Sequence, residues 1–219
     1  MSRPDGPARD LASVRRMLRE CPRFRLASGA RLLPDALRNM RLLVVEQGVV
    51  LLERGRAGSA RPSVVAVLGA GAVLPLPTAD ESLVALVDTV VAAVSAEAYR
   101  ALLDDPKIAG ALVGALIEAL HQRQETLATV TGGVHAERLR GRLIQLARDH
   151  GKVTADGVCI PLPLTHKLLG QMVGAARETV SGAMAQLQRE GFLVRDGDGY
   201  RLSVTAAVLA PQEPEQQPS

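Results

Sequence analysis

Aromatic side chains are nearly absent: they make up 2% of the 219 residues, and tryptophan is missing altogether. The interior must therefore be aliphatic, and a stacking platform for single-stranded nucleic acid has no ring faces to use. Cysteine is as scarce. Cys21 and Cys159 cannot form a disulfide framework or a four-ligand metal site, and they read as two ordinary thiols. No apolar run reaches membrane-spanning length; the longest candidate, around residues 83–94, is short and holds Asp88. The first residues, MSRPDGPARD, are not followed by an apolar signal core, so a cytoplasmic location without membrane contact is expected. HExxH, P-loop and nucleophile-elbow patterns are missing, and no enzymatic activity, metal or cofactor is expected. The run Gly69-Ala70-Gly71-Ala72-Val73-Leu74 lacks the third glycine of a dinucleotide loop and reads as a turn. A large excess of one charge is lacking too. The net charge is only +3, so an argument for nucleic acid must rest on local pattern.

What is present divides the chain into an α+β arrangement of four parts. Residues 8–20 place Leu11, Val14 and Leu18 on one face of a short helix. Between residues 24 and 95 come short apolar runs at 42–45, 49–52, 64–68, 83–87 and 90–94, punctuated by Gly and Pro. Such runs predict a β-sandwich or barrel, so residues 1–105 form one β domain with its N-terminal helix. Asp104-Asp105-Pro106 marks a helix start, since Asp favours the cap and Pro the first helical position. Apolar residues then recur from Ile108 to Val130 over a helix of roughly 25 residues, about 38 Å long. That is longer than a small domain needs. A second copy of the chain would cover its stripe, which predicts a homodimer through Leu112, Leu116, Leu120 and Leu127. Gly132-Gly133 reads as a hinge that ends this segment, residues 106–134.

The informative stretch lies in a C-terminal domain over residues 135–210. A helix is expected over 135–150, then a hairpin around Asp156-Gly157. Residues 165–190 read as a helix-turn-helix. Thr165 caps the first helix, Gly174 supplies the positive φ of the short link, and Gly170 sits where the helices touch. Leu169, Val173, Val180, Ala183 and Leu187 fall inward. The second helix, 176–190, then turns Arg177, Glu178, Ser181 and Gly182 outward near its start. A recognition helix reads base edges in the major groove with such residues, so Arg177, Glu178 and Ser181 are the candidate base contacts. Thr165, Lys167, Thr179 and Arg189 are placed to reach phosphates. Phe192-Leu193-Val194 and Tyr200-Arg201-Leu202 flank Asp196-Gly197-Asp198-Gly199 as a second hairpin, a wing with Arg195 and Arg201 as backbone contacts. The tail, 211–219, is polar and Pro-rich and is expected to be disordered.

Residues 141–194 resemble the DNA-binding half of the cyclic-AMP receptor protein/FNR regulators. GRLIQLARDHG, the hairpin, and LTHKLLGQMVGAARETVSGAMAQLQREGFLV carry the likeness, with Arg177-Glu178-Thr179-Val180 similar to the family's recognition core. VVAVLGAGAVLP and TVVAAVSAEAYRALLDDPKIAGALVGALIEAL are similar to its β-roll and dimer helix. The resemblance implies a cyclic-nucleotide-binding-like β-roll, a dimerisation helix and a winged helix-turn-helix. It implies an inverted-repeat operator on double-stranded DNA, RNA polymerase as a further partner, and a small-molecule effector. Two departures stand out. The family's cyclic-nucleotide members hold the ligand with a Gly-Glu and an Arg-Ser pair. Here the stretches read Ala72-Val73-Leu74-Pro75-Leu76 and Glu81-Ser82-Leu83-Val84-Ala85-Leu86, with no arginine between Arg61 and Arg100. A buried phosphate without a cation is costly, so the effector is expected not to be cyclic AMP. Gly182 stands where many members carry an arginine. Two distant cysteines cannot ligate the iron–sulfur cluster of the FNR branch, and His121, His135, His150 and His166 read as surface or packing residues rather than haem ligands. The alternative reading is a ligand-binding or scaffold protein whose helix-turn-helix mediates protein contacts.

Overall fold

The computed structural model describes residues 18–32, 34–55, 62–131, 134–197 and 199–204. Most of the expected helix over 8–20, Gly132-Gly133 and the tail at 211–219 lie outside these residues; of the helix, only Leu18–Glu20 is described, as a 3-10 turn. The chain divides into two compact units after Thr131.

Among the described residues the first unit holds eight strands: β1 (Arg23–Leu26), β2 (Arg31–Leu32), β3 (Met40–Gln47), β4 (Val49–Arg54), β5 (Ser63–Gly69), β6 (Val73–Pro75), β7 (Glu81–Ala85) and β8 (Thr89–Ser95). They pair antiparallel in two four-stranded sheets, β1-β8-β3-β6 and β2-β7-β4-β5. Leu43, Val45, Val91 and Ala93 of the first sheet share one core with Val50, Leu52, Leu68 and Leu83 of the second. The other face of the first sheet is covered as well. Leu42, Val44, Ala92 and Val94 pack with Leu102 of α1 (Ala96–Leu103) and with Ile108 and Leu112 of α2 (Pro106–Thr131). A strand buried on both faces has no polar side to show, so β3 and β8 read as continuous apolar runs instead of alternating ones. Four of the five runs named from the sequence lie wholly in strands, the run at 83–87 is strand only as far as Ala85, and the Gly69–Ala72 stretch is a turn between β5 and β6.

At one end of the second sheet two carboxylates are buried and paired. Arg31 lies 2.6 Å from Glu53, and Arg54 lies 2.8 Å from Glu81. Glu81 also accepts a bond from the backbone N–H of Thr78 at 3.1 Å. A buried carboxylate needs such partners to stay charged.

Helix α2 starts as expected, with Pro106 first and the Asp105 carboxylate accepting from the backbone N–H of Lys107 at 2.9 Å. Its apolar residues do not form the single stripe expected. Ile108, Leu112 and Ala119 are buried against their own unit, where the helix packs on β5 and β6, and Leu116 is partly covered by the same core. Leu112 is therefore a core residue, not one that faces a partner. Val113, Ile117 and Leu120 stay 49–53% exposed on a second face, roughly a third of a turn round the helix. The side chain of Leu127 lies outside the described residues.

The second unit contains α3 (His135–His150), β9 (Lys152–Thr154), β10 (Gly157–Ile160), α4 (His166–Val173), α5 (Arg177–Arg189), β11 (Leu193–Asp196) and β12 (Gly199–Leu202). The three helices pack on one another. Both expected hairpins form, and pairing of β10 with β12 joins them into one sheet, β11-β12-β10-β9. No described helix is long and apolar enough to cross a membrane.

Candidate nucleic-acid interface

The local chemistry of α4 and α5 sets the site. The Thr165 hydroxyl accepts from the Leu168 backbone N–H at 3.1 Å and starts α4. Gly174 ends it at φ 65° and ψ 38°, left-handed backbone that an L side chain enters only with strain. A Cβ on Gly170 would stand 2.6 Å from the Ala175 carbonyl oxygen, so only glycine allows this approach. Leu169, Met172, Val173, Val180, Ala183, Met184 and Leu187 are all buried. Arg140 of α3 braces the far end of α5: it pairs with Glu190 and sits 4.2 Å over the Phe192 ring. Such a cation–π contact joins α3 to the chain leaving α5. Nothing in the sequence marks Arg140 for this, because its partners lie about fifty residues away.

On the open side, the starts of α4 and α5 meet the wing around a cleft of about 620 Å³. Thr165, His166, Lys167, Arg177, Arg195 and Tyr200 line it, with Pro163 and Leu164, so its charged side chains are all basic. Ala176 caps α5 without a side-chain hydrogen bond. The first backbone N–H groups of α5 thus have no side-chain acceptor from their cap, and the positive end of the helix dipole points outward. An anion suits such a place. Glu178 and Thr179 are exposed in that first turn.

Not every expected residue joins this cleft. Ser181, expected to touch a base, has its hydroxyl engaged within the protein. It donates to the Arg177 carbonyl at 2.9 Å and lies 2.8 Å from Nδ1 of His166. Arg195 and Arg201 cannot act together, because strand register separates them. Arg195 pairs across the hairpin with Tyr200, and Val194 with Arg201, so the two arginines stand on opposite faces. Arg195 lines the cleft and lies over the Tyr200 ring at 5.4 Å. Arg201 instead lies 3.4 Å from Asp196 and 3.6 Å from Asp156. Arg189 is exposed at the other end of α5, about 18 Å along the axis from Arg177. Gly182 is exposed, and a Cβ there would meet nothing within 4 Å. The two cysteines are free thiols, and burial pushes the Cys21 thiol up. Among the described residues no three His, Cys, Asp or Glu side chains cluster to hold a metal ion.

Three packed helices, the last two joined by a left-handed glycine and flanked by a β-hairpin, define a winged helix-turn-helix domain. Residues 137–206 match the family model of the Crp-like helix-turn-helix domain. A stretch of 95 residues is 30% identical to a global nitrogen regulator of Synechococcus elongatus, and covers 43% of this chain and 42% of that protein. Over 102 residues the chain is 28% identical to a CRP-like cAMP-activated global transcriptional regulator of Mycobacterium tuberculosis, 47% of this chain and 46% of that one. The matched stretches thus span less than half the length of these two relatives. In fold the likeness reaches further. A CooA variant from Carboxydothermus hydrogenoformans superposes on 87% of this chain over 87% of its own, with a TM-score of 0.72 at 21% identity. The likeness is thus one of sequence over the helix-turn-helix half and of fold alone over most of the chain.

Proposed function

We propose that this protein is a sequence-specific DNA-binding transcription regulator that acts as a homodimer in the cytoplasm and catalyses no reaction. The observation that carries the reading is the convergence of Thr165, Lys167, Arg177 and Arg195 on one open cleft at the start of α5, with no carboxylate lining it. In this reading Arg177 donates two hydrogen bonds to guanine O6 and N7, and Glu178 accepts one from cytosine N4. Thr165, Lys167, Thr179 and Arg189 grip phosphates, and Arg195 grips one from the wing. Val113, Ile117 and Leu120 of α2, with the edge of Leu116, meet the same face of a second copy. The effector of the β-roll is a small molecule other than cyclic AMP. The stretch that would have to hold its phosphate instead contains Glu81, already buried against Arg54. RNA polymerase is the partner through which a DNA-bound regulator acts.

Selection of binding sites from random duplex DNA tests this. The wild type is expected to select an inverted repeat. Arg177→Ala and Glu178→Ala should each relax one position of the motif, at a cost on the order of 1–3 kcal/mol. Lys167→Ala should weaken all sequences alike and lower the salt slope by about one. A wild type that selects no motif, while its helix-turn-helix holds another protein, would make the domain a protein-contact module instead.

A further inference from the structure

One contact at the cleft has no part in that reading. His166 opens α4, and its Nδ1 lies 2.8 Å from the Ser181 hydroxyl, one turn into α5. The hydroxyl also lies 2.9 Å from the Arg177 carbonyl oxygen, to which it donates. Serine has a single hydroxyl proton. With that proton on the carbonyl, the imidazole must be the donor, so Nδ1 carries the hydrogen. Both bonds are then satisfied, whereas the other tautomer leaves one unmade.

We propose that His166 is a positioning residue for base reading. Through Ser181 it holds the first turn of α5, and with it Arg177, at one angle to α4. This rests on the DNA-binding reading above. The geometry explains why a second anchor matters. Buried side chains, Leu169, Val173, Val180 and Ala183 among them, pack α4 on α5, and Ala175 of the link lies against Gly170. The His166–Ser181 bond adds a directional contact at the start of α5, which apolar packing alone does not supply. Ala176 offers no cap bond, so among the described residues His166–Ser181 is the one side-chain hydrogen bond between α4 and the start of α5. A bidentate contact tolerates only small errors in the placement of its donors, so the angle decides how well Arg177 discriminates.

The test compares the full-length wild type with Ser181→Ala, His166→Ala, the double variant and Ser181→Thr. Site selection, salt titration and thermal midpoints are measured for each. Each alanine variant should lose discrimination roughly three- to tenfold at the base pair that Arg177→Ala relaxes, the worth of one hydrogen bond. The salt slope should not change. The double variant should be no worse than the poorer single one, and Ser181→Thr should restore the wild-type motif. A salt slope lowered by about one in His166→Ala alone would mean that the imidazole meets a phosphate, which overturns the proposal. Additive losses overturn it too. A measurement without DNA stands beside these: nitrogen NMR of the free protein at a pH where the ring is neutral. Nδ1 should carry the proton in the wild type and lose that preference in Ser181→Ala. A wild-type ring protonated on Nε2 overturns the proposal whatever the DNA results. If the wild type binds no DNA, the regulator reading itself falls. If it binds with a motif that none of these variants alters, only the role of His166 falls.

Discussion

A methyl group at Gly170 would stand 2.6 Å from the Ala175 carbonyl oxygen, and backbone cannot step aside as a flexible side chain can. Gly170→Ala should therefore cost roughly 1–3 kcal/mol, the range for overpacking a tight contact. A denaturation midpoint that does not fall would show that the helices can part freely. Gly182 is the opposite case, because the space above it is open. Gly182→Ala should stabilise the protein by up to about 1 kcal/mol through helix propensity alone. Gly182→Arg should fold equally well, and its added cation should steepen the salt dependence of DNA binding by about one unit. An unchanged slope would show that this face of α5 stays off the duplex. Thr165, Gly170 and Gly174 were legible in the sequence because their constraints are set within a few residues. The hydroxyl of Ser181 was not, since its partner His166 lies fifteen residues away in the chain. The facing of Arg201 was hidden for a similar reason: it depends on a strand register that no single position announces.

Helix α2 shows how one apolar sequence serves two surfaces. Leu112 is 4% exposed and packs with Leu42, Val44 and Val94. Leu112→Ala should open a cavity and cost about 2–5 kcal/mol, leaving dimerisation intact. Ile117→Asp with Leu120→Asp should do the reverse: the melting midpoint of the β-roll should hold, while sedimentation reports monomers. If the aspartate pair stays dimeric, α2 is not the interface. The length and start of this helix were plain from Asp105-Pro106 and the apolar spacing, but spacing alone cannot say which apolar residues face inward. That depends on β5 and β6, the strands the helix packs on. The same limit governs the sheets. The long strands announced themselves because burial on both faces demands unbroken apolar runs. β1, with Arg23 and Arg25 outward and Phe24 and Leu26 half-buried, offered no run to see, and β2 is only two residues long.

At the scale of the whole molecule, the β-roll and the proposed pairing of two α5 helices each make a demand that experiment can meet. Cyclic AMP added to the protein in a calorimeter should give no binding at physiological levels. The second sheet presents Glu53 and Glu81, buried and already paired with Arg31 and Arg54, so among the described residues a phosphate brought there meets carboxylates whose arginines are engaged. Micromolar binding would overturn that. The last demand concerns spacing. A two-fold dimer presents two copies of α5 about 34 Å apart, one turn of B-DNA, so both half-sites must lie on the same side of the duplex. An insertion of about 5 base pairs between them rotates one half-site to the opposite side. The wild type should then fall to the affinity of a single half-site. A further insertion of about 5 restores the facing but lengthens the span, and should recover only part of the loss. The Ile117→Asp, Leu120→Asp variant should bind all three operators equally, because a monomer touches one half-site at a time. If the wild type is as indifferent to spacing as this variant, the two recognition helices do not act together on DNA, and the dimer is not the unit that reads the operator.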